Sequence, residues 1–550
     1  MRLALYFVLA RLLLADHSPE RLVIGQRTEP RSLNPLTAVD EPSRLVNGLL
    51  HASLLRTNPA TQRLEPALAE SWRVLRNGSK LRVTLRPGLR FSDGRPLTSA
   101  DVAFSYEAFL DEAIAAPQRE VLLIEGQPVE VHVENDRTVR FRLPGPSAMG
   151  ERMLEAIPVL PRHRLEAAFR DRSLKSVWQA GAPVTEFAGS GPFRLLRREP
   201  GRPLIVERNP HYWNSPLPAL KELEFVSVPT EDSLMARLMA GELDLIAGFS
   251  PGAFASLSST RTQQALEVRD LGAALDYTFL LFNLNQAARR QKPWMSDHRF
   301  RRAVSLAIDR TSIVRLAYRG HATALWGHVT PARGDWYDPA LSRPARSVPD
   351  ARRLLRDAGF RWDQQGQLLD AQGRRVAFTI AASASNPVYG QIAALIQADL
   401  KQTGMDVSVV ALEFRSLIDR VTVKKDFDTA VMAMRPGEVD PAADLNVLLS
   451  SGPTHLWNLE GPAEPWEREV DALLRKQMAA PGRRVRVEAF RQVQAILAEQ
   501  SPFVSLASPN VLTASRSGLE GLTAAPGGHP ALSNAETLRW KGNGHAGARK

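Results

Sequence analysis

The 550-residue chain contains no cysteine. That absence excludes disulfides, thiolate metal ligands, a cysteine nucleophile and a lipid-modified N-terminal cysteine. No apolar run reaches the ~20 residues that a membrane-spanning helix needs. Histidine is scarce, at 11 residues, and the one in "PRHR" (161–164) has no partner four residues on, which argues against a zinc site there. A basic run interleaved with aromatics is also missing. The formal charge of +11 comes from arginines dispersed among acidic residues, so it does not point to nucleic acid.

Hydrophobic content of 44% and charged content of 23% fit a soluble globular protein. At roughly 100 to 200 residues per domain, the length implies several units. The start, "MRLALYFVLARLLLADHS", has a cationic end, an apolar stretch and Ala15 as a cleavage position, the layout of an export signal. Arg11 interrupts the apolar stretch, so an N-terminal helix or a misplaced start is the alternative. Residues 1–19 are read as this segment, and the mature form as soluble, exported and not lipid-anchored. The glycine-rich basic end, "KGNGHAGARK", reads as a frayed tail.

Periodicity separates strands from helices. Val129, Val131 and Val133, then Val139, Phe141 and Leu143, alternate with polar residues around Asn135-Asp136, the pattern of a hairpin with one buried face. Pro200-Gly201 predicts a second tight turn, between Phe193 and Arg208. "LTSADVAFSYEAFL" opens on Thr98 and Asp101 at capping-box spacing and predicts a helix. Another begins at Ser296, with Phe300, Ala303, Val304 and Ala307 on one face. Residues 231–247 and 389–412 each read helix, glycine, strand, the order of an α/β unit.

"GFSPG", residues 248–252, has the G-x-S-x-G spelling of a hydrolase nucleophile elbow. Pro251 lacks the backbone N–H that would be the main oxyanion donor after the serine. No histidine or aspartate beyond Ser250 sits in a motif that marks a triad, so hydrolysis is the lesser reading.

Several segments together resemble the bacterial extracellular solute-binding proteins of family 5. The strongest is "EPALAESWRVLRNGSKLRVTLRPGLRFSDGRPLTSADVAFSYEAF" (65–109), which carries a tryptophan segment, a strand ending in Leu-Arg, a Phe-x-Asp-Gly turn and an Ala-Asp-Val helix start. "TEPRSLNPLTA" (28–38), "GSGPFRLLRREPGRPLIVERNPHYW" (189–213), "GELDLIAG" (241–248), "FLLFNLN" (279–285) and "MSDHRFRRAVSLAIDRTSIVRLAYRG" (295–320) follow in order. The resemblance runs from about Arg21 to Trp540.

It implies an α/β, periplasmic-binding-protein-like fold of type II, cluster C: two lobes, an inserted domain, and discontinuous mixed sheets joined by a two-segment hinge. Domain I would gather residues 20–50, 190–275 and 502–541. Domain II would be the insertion 51–189 and domain III residues 276–501, with ligand between domains I and III. The implied function is a periplasmic, monomeric receptor that captures a peptide or peptide-like solute and delivers it to an ABC-transporter permease. A metal chelate, an opine or a glycan is the alternative ligand, and no cofactor is expected. A sensor fused to a DNA-binding segment is disfavoured, because about twenty residues precede the first motif; a holdase role stays open.

Ligand-contact positions follow from place in these motifs. Glu29, Leu33 and Asn34 come after the first strand, where a turn built by Pro30 and Pro35 is the alternative. Phe249 and Ser250 would offer an apolar wall and a hydroxyl from an exit loop. Phe282 and Asn283 lie on the strand after the hinge, where Phe282 also fits a core pattern. Trp326, Trp457 and Asn458 fall in loops. "MAMRPGEVDPAADLNVLL" (432–449) matches the family loop ending in Asp-Pro, here Asp440-Pro441. In peptide-binding members an aspartate three residues earlier receives the peptide's ammonium; here that position is Gly437. Glu438 would substitute for it, and Arg435 would meet a carboxylate or pair with Glu438 itself.

Overall fold

The computed structural model describes residues 20–542 apart from 59–60, 76–77, 125, 148, 180, 261–265, 437, 453, 463, 481 and 524–531. The export segment 1–19, the tail 543–550 and Gly437 thus lie outside the described residues. Chain contacts divide the protein into two units, residues 1–271 with 511–550, and residues 272–510.

In the first unit, the strand Arg21–Gln26 buries Leu22, Val23, Ile24 and Gly25 in succession, as a strand covered on both faces must. It pairs in parallel with Glu222–Ser227, Ile24 opposite Phe225, and with Leu245–Ile246, Ile24 opposite Leu245. Leu204–Arg208 and Phe193–Arg197 extend the sheet antiparallel, joined by the expected turn, in which Gly201 has φ 71°. Residues 514–515 close its other side. Gly25 has to be small: a Cβ there would come within 2.7 Å of the Leu234 and Leu243 side chains.

A second, antiparallel sheet within the first unit runs in the order Ala69–Leu75, Lys80–Leu85, Thr138–Arg142, Glu130–Asn135. The helix Ser99–Leu110 starts on the predicted Thr98–Asp101 capping box and buries Phe104, Tyr106 and Phe109 in one core with Leu81, Val83, Val139 and Phe141. One element of the hairpin pattern fails. Val133 is 48% exposed, because it lies on the outermost strand, where its buried partner Val139 shields it from one side only.

The second unit is built on a mixed sheet, with the short strand Ala322–Ala324 pairing antiparallel to residues 507–509 beside its main path. The order along that path is 503–507, Tyr277–Phe282, Thr429–Met434, Ala377–Ser383, Asp406–Leu412. The helix Pro387–Lys401 connects the parallel strands Ala377–Ser383 and Asp406–Leu412. Gly404 ends this unit's helical region at φ 91°, where a Cβ would meet the Gly366 carbonyl oxygen at 2.4 Å. The helix His298–Ala307 begins slightly after the expected Ser296, because Asp297 is the cap and accepts from the Arg299 amide at 2.8 Å. Phe300 from this helix packs with Trp294, Phe360, Phe378 and Phe282, at centroid separations of 4.7 to 6.4 Å.

Candidate functional site

Loops that leave the carboxyl ends of parallel strands bound the crevice where α/β sheets take ligands. Each unit has one such edge.

In the first unit this edge follows Gln26, Ser227 and Ile246. Glu29 is exposed there. Burial pulls the nearby Arg198 guanidinium below its ordinary range, while the Glu29 carboxylate opposes that shift. Arg198 donates to the Pro30 carbonyl at 3.2 Å. Leu33 and Asn34, by contrast, are buried at 0% and 1% exposure. Asn34 donates to the Leu174 carbonyl at 2.8 Å and accepts from the Leu36 amide at 3.0 Å, so its side chain builds the turn.

The segment after Ile246 corrects the expectation of an open exit loop. A helix, Pro251–Thr260, starts there. Ser250 accepts from the Ala253 amide at 3.2 Å and its backbone carbonyl accepts from Phe254, which makes it a helix cap, with Pro251 in the first-turn position that tolerates a missing N–H. Its hydroxyl donates to Glu231 Oε2 at 2.6 Å, and its amide donates to Glu231 Oε1 at 2.6 Å. The strand, turn and helix of an elbow are therefore present, but the serine is turned to capping and faces a carboxylate rather than an imidazole. Phe249 is half-buried against the apolar cluster of Val23, Leu234 and Leu257.

In the second unit the edge is formed by the ends of Ala377–Ser383, Asp406–Leu412 and Thr429–Met434, with the start of Tyr277–Phe282 beside them, since Tyr277 lies opposite Met434. Arg435 leaves the strand end with its side chain 71% exposed and pairs with Asp276, Nε to Oδ2 at 3.3 Å. Asp276 thus supplies a carboxylate partner for Arg435 from within the chain. Tyr389, in the first turn of Pro387–Lys401, completes the group: burial raises its pKa, Asp276 adds to the rise and Arg435 opposes it. Asn386 caps that helix, accepting from Val388 at 3.1 Å. Glu438 is half-buried nearby in sequence.

Trp326 is half-buried, donates to the Pro344 carbonyl at 3.0 Å, and has the Arg310 guanidinium 5.5 Å from its ring centre. Arg310 is itself buried, and burial lowers its pKa to about 10.

The remaining sequence-nominated residues serve the interior. Phe282 is fully buried. Asn283 donates to the carbonyls of Lys425 and Phe427 and accepts from both amide groups of Asn285. Trp457 is 1% exposed; it donates to Glu467 at 3.0 Å, stacks with Trp466 and meets His455 edge-on. Asn458 spans to the Gly461 carbonyl at 2.7 Å. Asp440 is 3% exposed, caps the turn beginning at Pro441 and accepts from Arg486 at 2.6 Å. In this conformation Leu33, Asn34, Phe282, Asn283, Asp440, Trp457 and Asn458 present no free polar edge or open face to a solute.

Below the exposed loop sit two buried ion pairs, Arg486–Asp440 and Arg333–Asp444. Burial alone would lower the Arg333 pKa, but the Asp444 carboxylate overrides it and raises the value. Among the described residues, no group of three or more His, Asp or Glu side chains is placed to hold a metal ion.

Residues 63–455 match the family described as bacterial extracellular solute-binding proteins, family 5 Middle. Protein XP55 of Streptomyces lividans is 29% identical over 514 residues, covering 92% of this chain and 86% of that protein. The oligopeptide-binding protein AppA from Bacillus subtilis, solved with a nonapeptide, matches with a TM-score of 0.68 at 23% identity, covering 95% of this chain and 100% of that one. NikA from Brucella suis, solved with Fe(III)-EDTA, matches with a TM-score of 0.79 at 20% identity, covering 95% and 100%. The fold is that of the periplasmic binding proteins, as the motifs implied.

Proposed function

Because the chain belongs to the bacterial extracellular solute-binding proteins of family 5, we propose that it is the substrate-binding receptor of an ABC importer. It captures a peptide or peptide-like solute and passes it to a membrane permease without altering it. The observation that carries the last clause is Ser250: the residue spelled as a nucleophile caps a helix and donates to Glu231. In this reading the receptor is exported, monomeric and works in the periplasm; no helix among the described residues is long and apolar enough to cross a membrane.

The solute-facing set in this reading is Glu29, Phe249 and Ser250 on the first unit's strand-end edge, and Trp326, Arg435 and Glu438 with Asp276 and Tyr389 on the second unit. A guanidinium that is 71% exposed at the strand end suits a solute with a carboxylate of its own. Peptides have one, and so do metal chelates of the kind bound by NikA; Arg435 therefore supports a chelate as the second reading. Thermal-shift titration with peptides, metal chelates, opines and glycans tests the proposal. Stabilisation by one class is expected, and a flat response to all of them counts against it.

A further inference from the structure

A sizeable cavity of the first unit lies away from its strand-end edge. It has a volume of about 860 Å³ and is lined by His51, Arg56, Tyr212, Trp213, Asn534 and Glu536, among others. Its position in the sheet is set by three bonds. The Glu536 carbonyl accepts from Ala219, just ahead of Glu222–Ser227, Lys221 donates to the Glu20 carbonyl, and Trp540 donates to the Arg21 carbonyl at 3.0 Å. The cavity therefore sits at the amino ends of the parallel strands, whereas Glu29 and Ser250 sit at their carboxyl ends.

The charges on its wall are already matched. Arg56 donates to Glu65 and to Glu536 at 2.6 Å each, and Tyr212 donates to Glu536. The Arg86 and Arg56 guanidiniums lie 4.4 and 5.2 Å from the centre of the Trp213 ring, so the ring's π-system already has its cation partners. That indole N–H is buried without a partner. So is Asn534 Oδ1, and so are both ring nitrogens of His51, which is 5% exposed. Buried donors and acceptors left unpaired are costly, and a wall that carries one of each in a cavity of this size is built to be completed.

We propose that this cavity is a second binding site, for a neutral, hydroxyl-rich solute of polyol or small-sugar size. A hydroxyl accepts from Trp213 Nε1 and donates to Asn534 Oδ1 with equal ease, and an uncharged ligand leaves the Arg56–Glu536–Tyr212 network intact. A charged ligand would have to break that network.

The test is ligand-observed NMR titration of the full chain with glucose, maltose and sorbitol, followed by crystals soaked in whichever binds. Saturable binding is expected, weakened roughly tenfold in Trp213→Phe, which keeps the ring and loses the donor, and similarly in Asn534→Ala. Arg435→Ala is expected to leave it unchanged. Circular dichroism and melting of each variant separate lost binding from lost folding. No saturable binding of any probe, equal binding by Trp213→Phe, or soaked crystals with only water in the cavity would overturn the proposal. Loss of sugar binding in Arg435→Ala would overturn it too, by making the sugar the solute of the strand-end site.

Discussion

Ser250 and Glu231 are locked together by two hydrogen bonds of 2.6 Å, one from the serine hydroxyl and one from its amide, across the starts of two neighbouring helices. The contact turns a sequence that spells catalysis into a joint between capped helix ends. Ser250→Ala is expected to lower unfolding free energy by about 1 kcal/mol, the usual value of a serine cap, as measured by urea titration. Hydrolysis of p-nitrophenyl acetate should be the same in both proteins. Activity in the parent chain that vanished in the variant would reverse this reading.

The Asp440–Asp444 turn is held from beneath by Arg486 and Arg333. Arg333 is 1% exposed, so removing its partner strands a charge in the interior. Asp444→Ala is predicted to cost about 3–5 kcal/mol by urea unfolding, whereas an apolar replacement of both partners should cost much less. Near-equal stability of Asp444→Ala and the parent would show that the pair is not desolvated.

Stability should fall in mild acid because of His328. Burial, helped by the nearby Arg333 charge, lowers its pKa from 6.5 to about 3. Tyr277, Phe490 and Phe503 are the rings around it, and the Arg333 that acts on it is paired with Asp444. Between those two values the unfolded chain binds the proton and the folded chain does not, so stability is full above about pH 6.5 and declines down to about pH 3. His51, lowered to about 4 by burial, acts in the same direction. His328→Leu should flatten the decline by a few kcal/mol in urea titrations run at pH 7 and pH 4. An unchanged slope in that variant would place the pH dependence elsewhere.

Arg435 separates binding from folding. Its side chain is 71% exposed and its ion pair with Asp276 is worth little, so Arg435→Ala should change stability by no more than about 0.5 kcal/mol. Affinity for a carboxylate-bearing solute should drop roughly tenfold or more, as expected when a charge-assisted bond is removed, and its salt dependence should weaken, by isothermal titration. Full affinity in the variant would take Arg435 out of the solute-facing set.

The framework was legible in the sequence because it obeys local rules. Thr98–Asp101, Pro200-Gly201 and Gly404 act through their own backbone geometry, and they mark the same boundaries in the structure. The site was harder to read, because whether a polar residue faces solvent or a neighbouring carbonyl depends on partners far along the chain. Asn283 is spent on Lys425 and Phe427, Trp457 on Glu467, and Asn34 on Leu174. Asp276 and Tyr389 went unnamed as site residues for the same reason: only the pairing of Tyr277 with Met434 brings Asp276 to Arg435. The Asn386-Pro387 helix start after a strand was the available signal for Tyr389, since helices that follow parallel strands begin at the ligand-facing edge. His51, Trp213 and Asn534 belong to separate segments, and no local pattern links them.

The most direct test of the receptor reading is mass spectrometry of small molecules released by denaturing protein purified without added ligand. The account predicts one predominant carboxylate-bearing solute, approaching one per chain, that raises the melting temperature when returned to the emptied protein and does so less in Arg435→Ala. An emptied protein that releases no solute and is stabilised by no peptide, chelate, opine or glycan would contradict it.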